Sequence, residues 1–310
     1  MRFINWSRLI QGILLSFVFI ISLGIFASGL QWFFLPPKSF EGALPASISG
    51  GAEKILLNER PLAEKLIIDA QSAVSVQTDL EQREVLFDKN GDRKLPIASI
   101  SKLITTLVIL ENIELYEKIK ISKAAQDVGG DIESLKEGEV FFGKDLLYAM
   151  LIGSNNSASQ AFSERMGTEK FIGLMNKKAE ELGLSNTSFG NPTGLGLDNF
   201  STADDMVKLA EYILKQRPSI FGITVMPEFD LYTADGKTIH KIINTDDLVR
   251  ENSDFKERIV GGKTGTTRPA GQCLLLVIKS KDDQSFLINV VLGSENRFEE
   301  VKKIINWLKQ

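Results

Sequence analysis

The sequence predicts an α+β fold, in which an antiparallel sheet is built from N- and C-terminal strands and a helical subdomain is inserted between them. Two observations carry this. Short β-type runs come in pairs, Ser72–Gln77 with Glu84–Phe87 and Cys273–Ile278 with Phe286–Leu292, each joined by a polar link that reads as a hairpin. The long stretch between the pairs is mainly helical in its apolar spacing. Strands at both ends with helices between them imply one sheet shared by the two ends of the body.

The chain begins with a membrane signal. No ionisable side chain occurs from Leu9 to Pro37, and Leu9–Phe26 is dominated by Leu, Ile, Phe and Val. A helix needs about 20 apolar residues to cross the hydrocarbon core, so residues 1–34 read as an N-terminal transmembrane helix. Arg2 and Arg8 precede the run, which keeps the N-terminus cytoplasmic and exports the rest as the extracytoplasmic part of a single-pass cell-membrane protein. Trp6 on one side and Trp32, Phe33 and Phe34 on the other stand where interfacial aromatics anchor a span. A cleaved signal peptide is the competing reading, with Ala27-Ser28-Gly29 as its site, but the run exceeds the roughly 7–15 residues of a signal core. Pro36-Pro37, Gly42, Pro45 and Gly50-Gly51 then mark residues 35–60 as a linker to a folded domain over 61–310.

Within that domain Asn90-Gly91 supplies a turn after the first hairpin. Ile100, Leu103, Ile104, Leu107, Val108 and Leu110 make a helix that is apolar on most sides and therefore belongs in the core. Helices are expected over Lys144–Ile152, Ala158–Met166, Glu169–Leu182 and Thr202–Lys215, with Gly183 as the C-terminal cap of the third. A last amphipathic helix carries Phe298, Val301, Ile304, Ile305 and Leu308 on one side.

Composition narrows the function classes. The 310 residues are 43% hydrophobic and 25% charged, enough to bury a sizeable core. A net charge of −4 without a Lys/Arg stripe argues against a nucleic-acid partner. The single cysteine, Cys273, excludes an intramolecular disulfide and a thiolate metal cluster, and the single histidine, His240, excludes a multi-His metal site. No cofactor is expected. His240 reads as a surface or strand residue and Cys273 as a buried packing thiol.

Three short segments carry chemistry. Ser99-Ile100-Ser101-Lys102 opens the apolar helix and sets Lys102 on the same face as Ser99. A serine is a weak nucleophile without an adjacent base, and a lysine serves once burial and cationic neighbours depress its pKa. Ser154-Asn155-Asn156 follows a helix, and Gly262-Lys263-Thr264-Gly265-Thr266 stands just ahead of the C-terminal hairpin. Taken singly, these are an N-cap, a polar turn and a strand-edge turn.

Together and in this order they match the three-part signature of penicillin-binding proteins and class A β-lactamases. From about Ser72 to Leu308 the chain resembles the low-molecular-mass D-alanyl-D-alanine carboxypeptidases, serine peptidases of the S11 type. Leu95-Pro96-Ile97-Ala98, Phe189-Gly190-Asn191-Pro192-Thr193-Gly194-Leu195, Asn199-Phe200-Ser201-Thr202-Ala203 and Ala270-Gly271-Gln272-Cys273 are similar to that family as well. The resemblance implies a β-lactamase/DD-peptidase-like fold with 61–310 as the catalytic domain. It implies cleavage of the terminal D-Ala-D-Ala bond of peptidoglycan stem peptides through an acyl-enzyme, with β-lactams as covalent inhibitors.

By motif position, the resemblance makes Ser99 the nucleophile and Lys102 its base. Asn156 holds Lys102 and the substrate amide, and Ser154 relays a proton to the departing amine. Lys263 faces them across the cleft, where it depresses the Lys102 pKa and steadies the Ser154 hydroxyl. The Thr264 and Thr266 hydroxyls bind the substrate carboxylate beside Gly265, and the Ser99 and Thr266 N–H groups form an oxyanion hole. Arg297 is positioned like a family arginine that faces the cleft, against a helix-start salt bridge as the plain reading. Arg268 and Thr266 depart from relatives that carry an acidic residue and a histidine there. The alternatives are a DD-endopeptidase acting on cross-links, a class A-like β-lactamase with a deacylating Glu, and a non-catalytic wall-binding module. Glu181-Leu182-Gly183-Leu184 suggests the β-lactamase loop only superficially and reads better as a helix end.

Overall fold

The computed structural model describes residues 66–251, 255–281 and 283–308. The expected anchor (1–34) and linker (35–60) lie outside the described residues. Among the described residues no helix is long and apolar enough to cross a membrane.

In chain order the hairpin β1 (Ala70–Thr78) and β2 (Arg83–Lys89) comes first. A two-residue strand β3 (Leu95–Pro96) and a 3-10 turn (Ala98–Ser101) lead into α1 (Lys102–Asn112). Next are β4 (Lys118–Lys120), α2 (Lys123–Asp127) and β5 (Val140–Phe142). The helical block follows as α3 (Gly143–Ile152), α4 (Asn156–Met166) and α5 (Thr168–Glu181). After β6 (Phe200–Ser201) come α6 (Ala203–Gln216), α7 (Ser219–Thr224), the hairpin β7 (Glu228–Tyr232) and β8 (Ile239–Ile243), and α8 (Asp247–Arg250). The chain closes with β9 (Ile259–Thr267), β10 (Gly271–Lys279), β11 (Phe286–Ser294) and α9 (Arg297–Trp307).

One five-stranded antiparallel sheet, in the order β2-β1-β11-β10-β9, joins the two ends of the body as the sequence predicts. Both of its faces are covered. Val74, Leu275, Val277, Ile288 and Val290 point into a core shared with α1 and the helical block, while Ala73, Leu274, Leu276, Ile278 and Val291 pack against Val301, Ile304 and Ile305 of α9. Double burial explains why β10 and β11 read as unbroken apolar runs rather than as alternating strands. Each fully buried Leu, Ile or Val contributes about 1.5–3 kcal/mol.

Helix α1 runs through the larger core, and every residue from Lys102 to Ile109 is buried. That depth strips water from the lysine at its first position. The α5 terminus is also as the sequence predicts: Gly183 has φ +66°, its N–H reaches the Glu180 carbonyl, and the Leu184 N–H reaches the Ala179 carbonyl. Glu181 ends that helix exposed and bonded to Lys178, away from the Ser-Lys pair. Strand β9, the paired strands β4/β5 and the hairpin β7/β8 are additions to the predicted elements. Lys263-Thr264-Gly265 lies inside β9, the edge strand of the sheet, just ahead of the β10/β11 hairpin.

Candidate active site

Ser99 sits in the 3-10 turn, one step earlier than the α-helical start expected from its spacing; the first α-helical residue is Lys102. The preceding Ala98 has φ +48°, a left-handed conformation that costs a non-glycine residue roughly 1–2 kcal/mol. Two neighbours hold the turn there. A Cβ at Gly194 (φ +86°) would fall 2.0 Å from the Ala98 carbonyl oxygen, and one at Gly265 would fall 2.9 Å from the Ser99 nitrogen. The turn is thus clamped between the Thr193–Leu195 loop and β9, and only hydrogen fits on either side.

Lys102 is 0% exposed. Its Nζ donates to Ser99 Oγ at 2.8 Å, to Asn156 Oδ1 at 2.7 Å and to the Thr193 carbonyl at 2.7 Å. Burial lowers the ammonium pKa to about 7, with the Asp131 carboxylate pulling the other way. An ammonium would donate to all three oxygens; the neutral amine donates two hydrogens and turns its lone pair to the third partner. Only Ser99 among the three carries a proton to give. Half-buried Ser99 is the member of the pair that a substrate can reach.

Asn156 opens α4, whose N-cap Asn155 accepts from the Ala158 N–H at 2.8 Å. Ser154, at the α3–α4 corner with φ +57°, has a hydroxyl with no hydrogen-bond partner among the described residues. No hydrogen bond joins it to Lys263. Lys263 is buried on β9 and donates to the Thr264 carbonyl at 3.1 Å. Burial holds its pKa well below the usual lysine range, and the Lys102 and Arg297 charges lower it further against Asp246. The Thr264 hydroxyl is paired with that of Thr245 at 2.5 Å, whereas exposed Thr266 accepts from Arg297 Nη1.

Arg297 makes no salt bridge at its helix start among the described residues. From α9 it reaches back to β9, donating Nη1 also to the Gly265 carbonyl at 3.0 Å. The structure thus brings Ser99, Lys102 and Asn156 into direct contact and gathers Thr266 and Arg297 around Gly265. It does not bond Ser154 or Lys263 to that first group.

Sequence reasoning missed four contributors. The Thr193 carbonyl and the Thr245 hydroxyl carry no recognisable side-chain signal for these roles. Asp131 and Asp246 are single acidic residues in polar stretches. Asp246 is buried behind β9, where burial raises its pKa to about 6 against its bond from the Leu248 N–H and the Arg297 and Lys263 charges. His240 lies elsewhere, buried in β8 between Glu133 (2.8 Å) and Glu139 (3.0 Å). The Cys273 thiol is buried in β10 and its pKa is pushed up to about 11 by that burial, as suits a packing residue. Arg268 is exposed in the turn after β9.

A buried lysine bonded to a reachable serine, under an edge strand carrying Lys-Thr-Gly, defines the class of penicillin-recognising serine peptidases. Residues 59–296 match the family described as D-alanyl-D-alanine carboxypeptidase, peptidase S11, and the chain belongs to it. It is 35% identical over 254 residues to the D-alanyl-D-alanine carboxypeptidase DacF of Bacillus subtilis (strain 168), covering 78% of this chain and 63% of that relative. It is 32% identical to a D-alanyl-D-alanine endopeptidase of Escherichia coli (strain K12), covering 77% of each. In structure it is similar to penicillin-binding protein D2 of Listeria monocytogenes in a cefotaxime-bound form, with TM-score 0.68, 26% identity, and 79% of this chain and 99% of that one covered.

Proposed function

We propose that the protein is a serine DD-carboxypeptidase that cleaves the terminal D-Ala-D-Ala bond of peptidoglycan stem peptides through an acyl-enzyme on Ser99. The observation that carries this reading is the contact of a fully buried Lys102 with Ser99. The neutral amine takes the Ser99 proton as Oγ attacks the carbonyl between the two D-alanines. Asn156 and the Thr193 carbonyl hold the amine during the transfer. The departing amine is D-alanine, which takes its proton through Ser154, the hydroxyl left unpaired beside Asn156. Water then releases the acyl group.

The cleft supports this substrate class in two ways. Strand β9 is an edge strand beside Ser99, and its outer backbone groups can pair with an extended peptide. Arg297 offers positive charge, and Lys263 and the Thr266 hydroxyl offer hydrogen-bond donors, to the free carboxylate of the last D-alanine. N–H groups of Ser99 and Thr266 serve as the oxyanion hole, where each donor is worth about 2.7–4 kcal/mol of barrier. β-Lactams mimic the same bond and acylate Ser99, as the cefotaxime-bound relative suggests. Glu181, remote from Ser99, offers no deacylating carboxylate, so penicillin inhibits rather than turns over.

The apolar Leu9–Phe26 run after Arg2 and Arg8 supports a single-pass anchor with the catalytic domain on the extracytoplasmic side, where stem peptides are. The E. coli relative's name supports a second reading, endopeptidase action on cross-links. Incubating the full chain with a stem pentapeptide and with a cross-linked muropeptide dimer separates the two. Free D-alanine from the pentapeptide supports the carboxypeptidase, and conversion of the dimer alone supports the endopeptidase. No product from either, with no penicillin adduct, would reject both.

A further inference from the structure

The segment Gly129-Gly130-Asp131 crosses the N-terminus of α4. Asp131 Oδ1 accepts from the Asn156 N–H at 2.5 Å. Its Oδ2 accepts from the Ser157 N–H at 3.0 Å and from the Ser157 hydroxyl at 2.6 Å. The Gly129 carbonyl accepts from Asn156 Nδ2 at 2.9 Å. With Asn155 capping Ala158, the first N–H groups of α4 are all satisfied, and two of them by Asp131.

The consequence falls on Asn156. Its backbone is fixed by Asp131 and its amide nitrogen by Gly129, so the side chain can present only Oδ1 to Lys102. Rotating the amide would set a nitrogen against the Lys102 hydrogens and an oxygen against the Gly129 carbonyl. A Cβ on Gly130 would lie 3.1 Å from Asn156 Nδ2, so the segment passes close against that amide.

We propose that Asp131 is a positioning residue for acyl transfer: by bonding the first turn of α4 it fixes Asn156, and through Asn156 the Lys102 amine, against Ser99. Its charge has a second effect. Asp131 favours the protonated Lys102 and opposes burial, while buried Lys263 on β9 is the other charged group coupled to that amine. Asp131 thus holds the base in line and also raises the pH at which the base becomes neutral.

The inference rests on the Ser99 acyl-transfer reading, so wild-type acylation by a labelled penicillin is measured first; its failure rejects that reading and leaves nothing for Asp131 to position. The acylation rate of the full chain is then followed from pH 5 to 9 for wild type, Asp131→Asn and Asp131→Glu, with Tm as a folding control. In Asp131→Asn the plateau rate should fall by about tenfold to a hundredfold, the scale of an ångström-level misplacement. Its acid limb should move to lower pH, which a merely structural defect would not produce. In Asp131→Glu, which keeps the charge on a longer arm, the plateau should fall while the acid limb stays near the wild-type position. An Asp131→Asn protein that folds and keeps either the wild-type plateau or the wild-type acid limb overturns the proposal. If that variant does not fold, a wild-type plateau in Asp131→Glu overturns it and a lowered one supports it.

Discussion

Lys102 Nζ stands 2.8 Å from Ser99 Oγ, and no part of Lys102 is open to solvent. Burial at the head of a core helix gives this lysine a pKa of about 7, within reach of neutral pH. The charged form cannot act as a base. The acylation rate should therefore rise about tenfold per pH step below pH 7 and level off above it. A rate profile with a labelled penicillin checks this; Lys102→Arg, which stays protonated, should lose acylation across the whole range.

The clamp on Ser99 depends on residues without side chains. Gly194→Ala would drive a methyl into the Ala98 carbonyl at 2.0 Å, and its positive φ alone costs roughly 1–3 kcal/mol. The expected result is a lower Tm together with acylation slowed at least about a hundredfold, because the turn carrying Ser99 must move. Gly173→Ala, at a helix position where a Cβ meets nothing, should leave acylation unchanged and raise stability by about 0.5–1 kcal/mol.

Asp246 is ionised at neutral pH only against its burial. Its folded pKa of about 6 exceeds the ordinary 3.8, so between those values the native state binds more protons and stability falls as pH rises. The resulting penalty is complete above pH 6 and absent below about pH 4. Asp246→Asn retains an oxygen for the Leu248 N–H, so denaturation at pH 8 should show a gain on the order of 3 kcal/mol. The gain should vanish at pH 4.

His240 fixes the segment that precedes α3, through Glu133 and Glu139. His240→Ala leaves the mostly buried Glu139 without this partner and should cost about 1–3 kcal/mol in denaturation. The acid limb of acylation should not move, since no imidazole contacts Ser99 or Lys102.

Much of this architecture is legible in the sequence because the strands and helices repeat at their own periods. Cys273–Ile278 and Phe286–Leu292 announce themselves by apolar content, and α1 by its many buried positions. Strand β9 does not, because Gly261, Gly262 and Gly265 replace the side chains that would mark a strand, to let Phe221, β10 and the Ser99 turn approach. The pairs β4/β5 and β7/β8 are short, and β8 breaks the expected alternation by exposing Ile239 and Ile243 while burying His240. In the site, residue type and order reveal Ser99, Lys102, Asn156 and Lys263. They do not reveal Thr193, which acts through a carbonyl, or Asp131, whose partners lie some 25 residues away in the chain.

The central claim, that Ser99 is the nucleophile activated by Lys102, is tested most directly by intact-protein and peptide mass spectrometry after exposure to penicillin at pH 8. One penicilloyl group should appear on the peptide containing Ser99 in the wild-type chain, and none in Ser99→Ala. An adduct that persists in Ser99→Ala, or a folded wild-type protein that forms none, would contradict it.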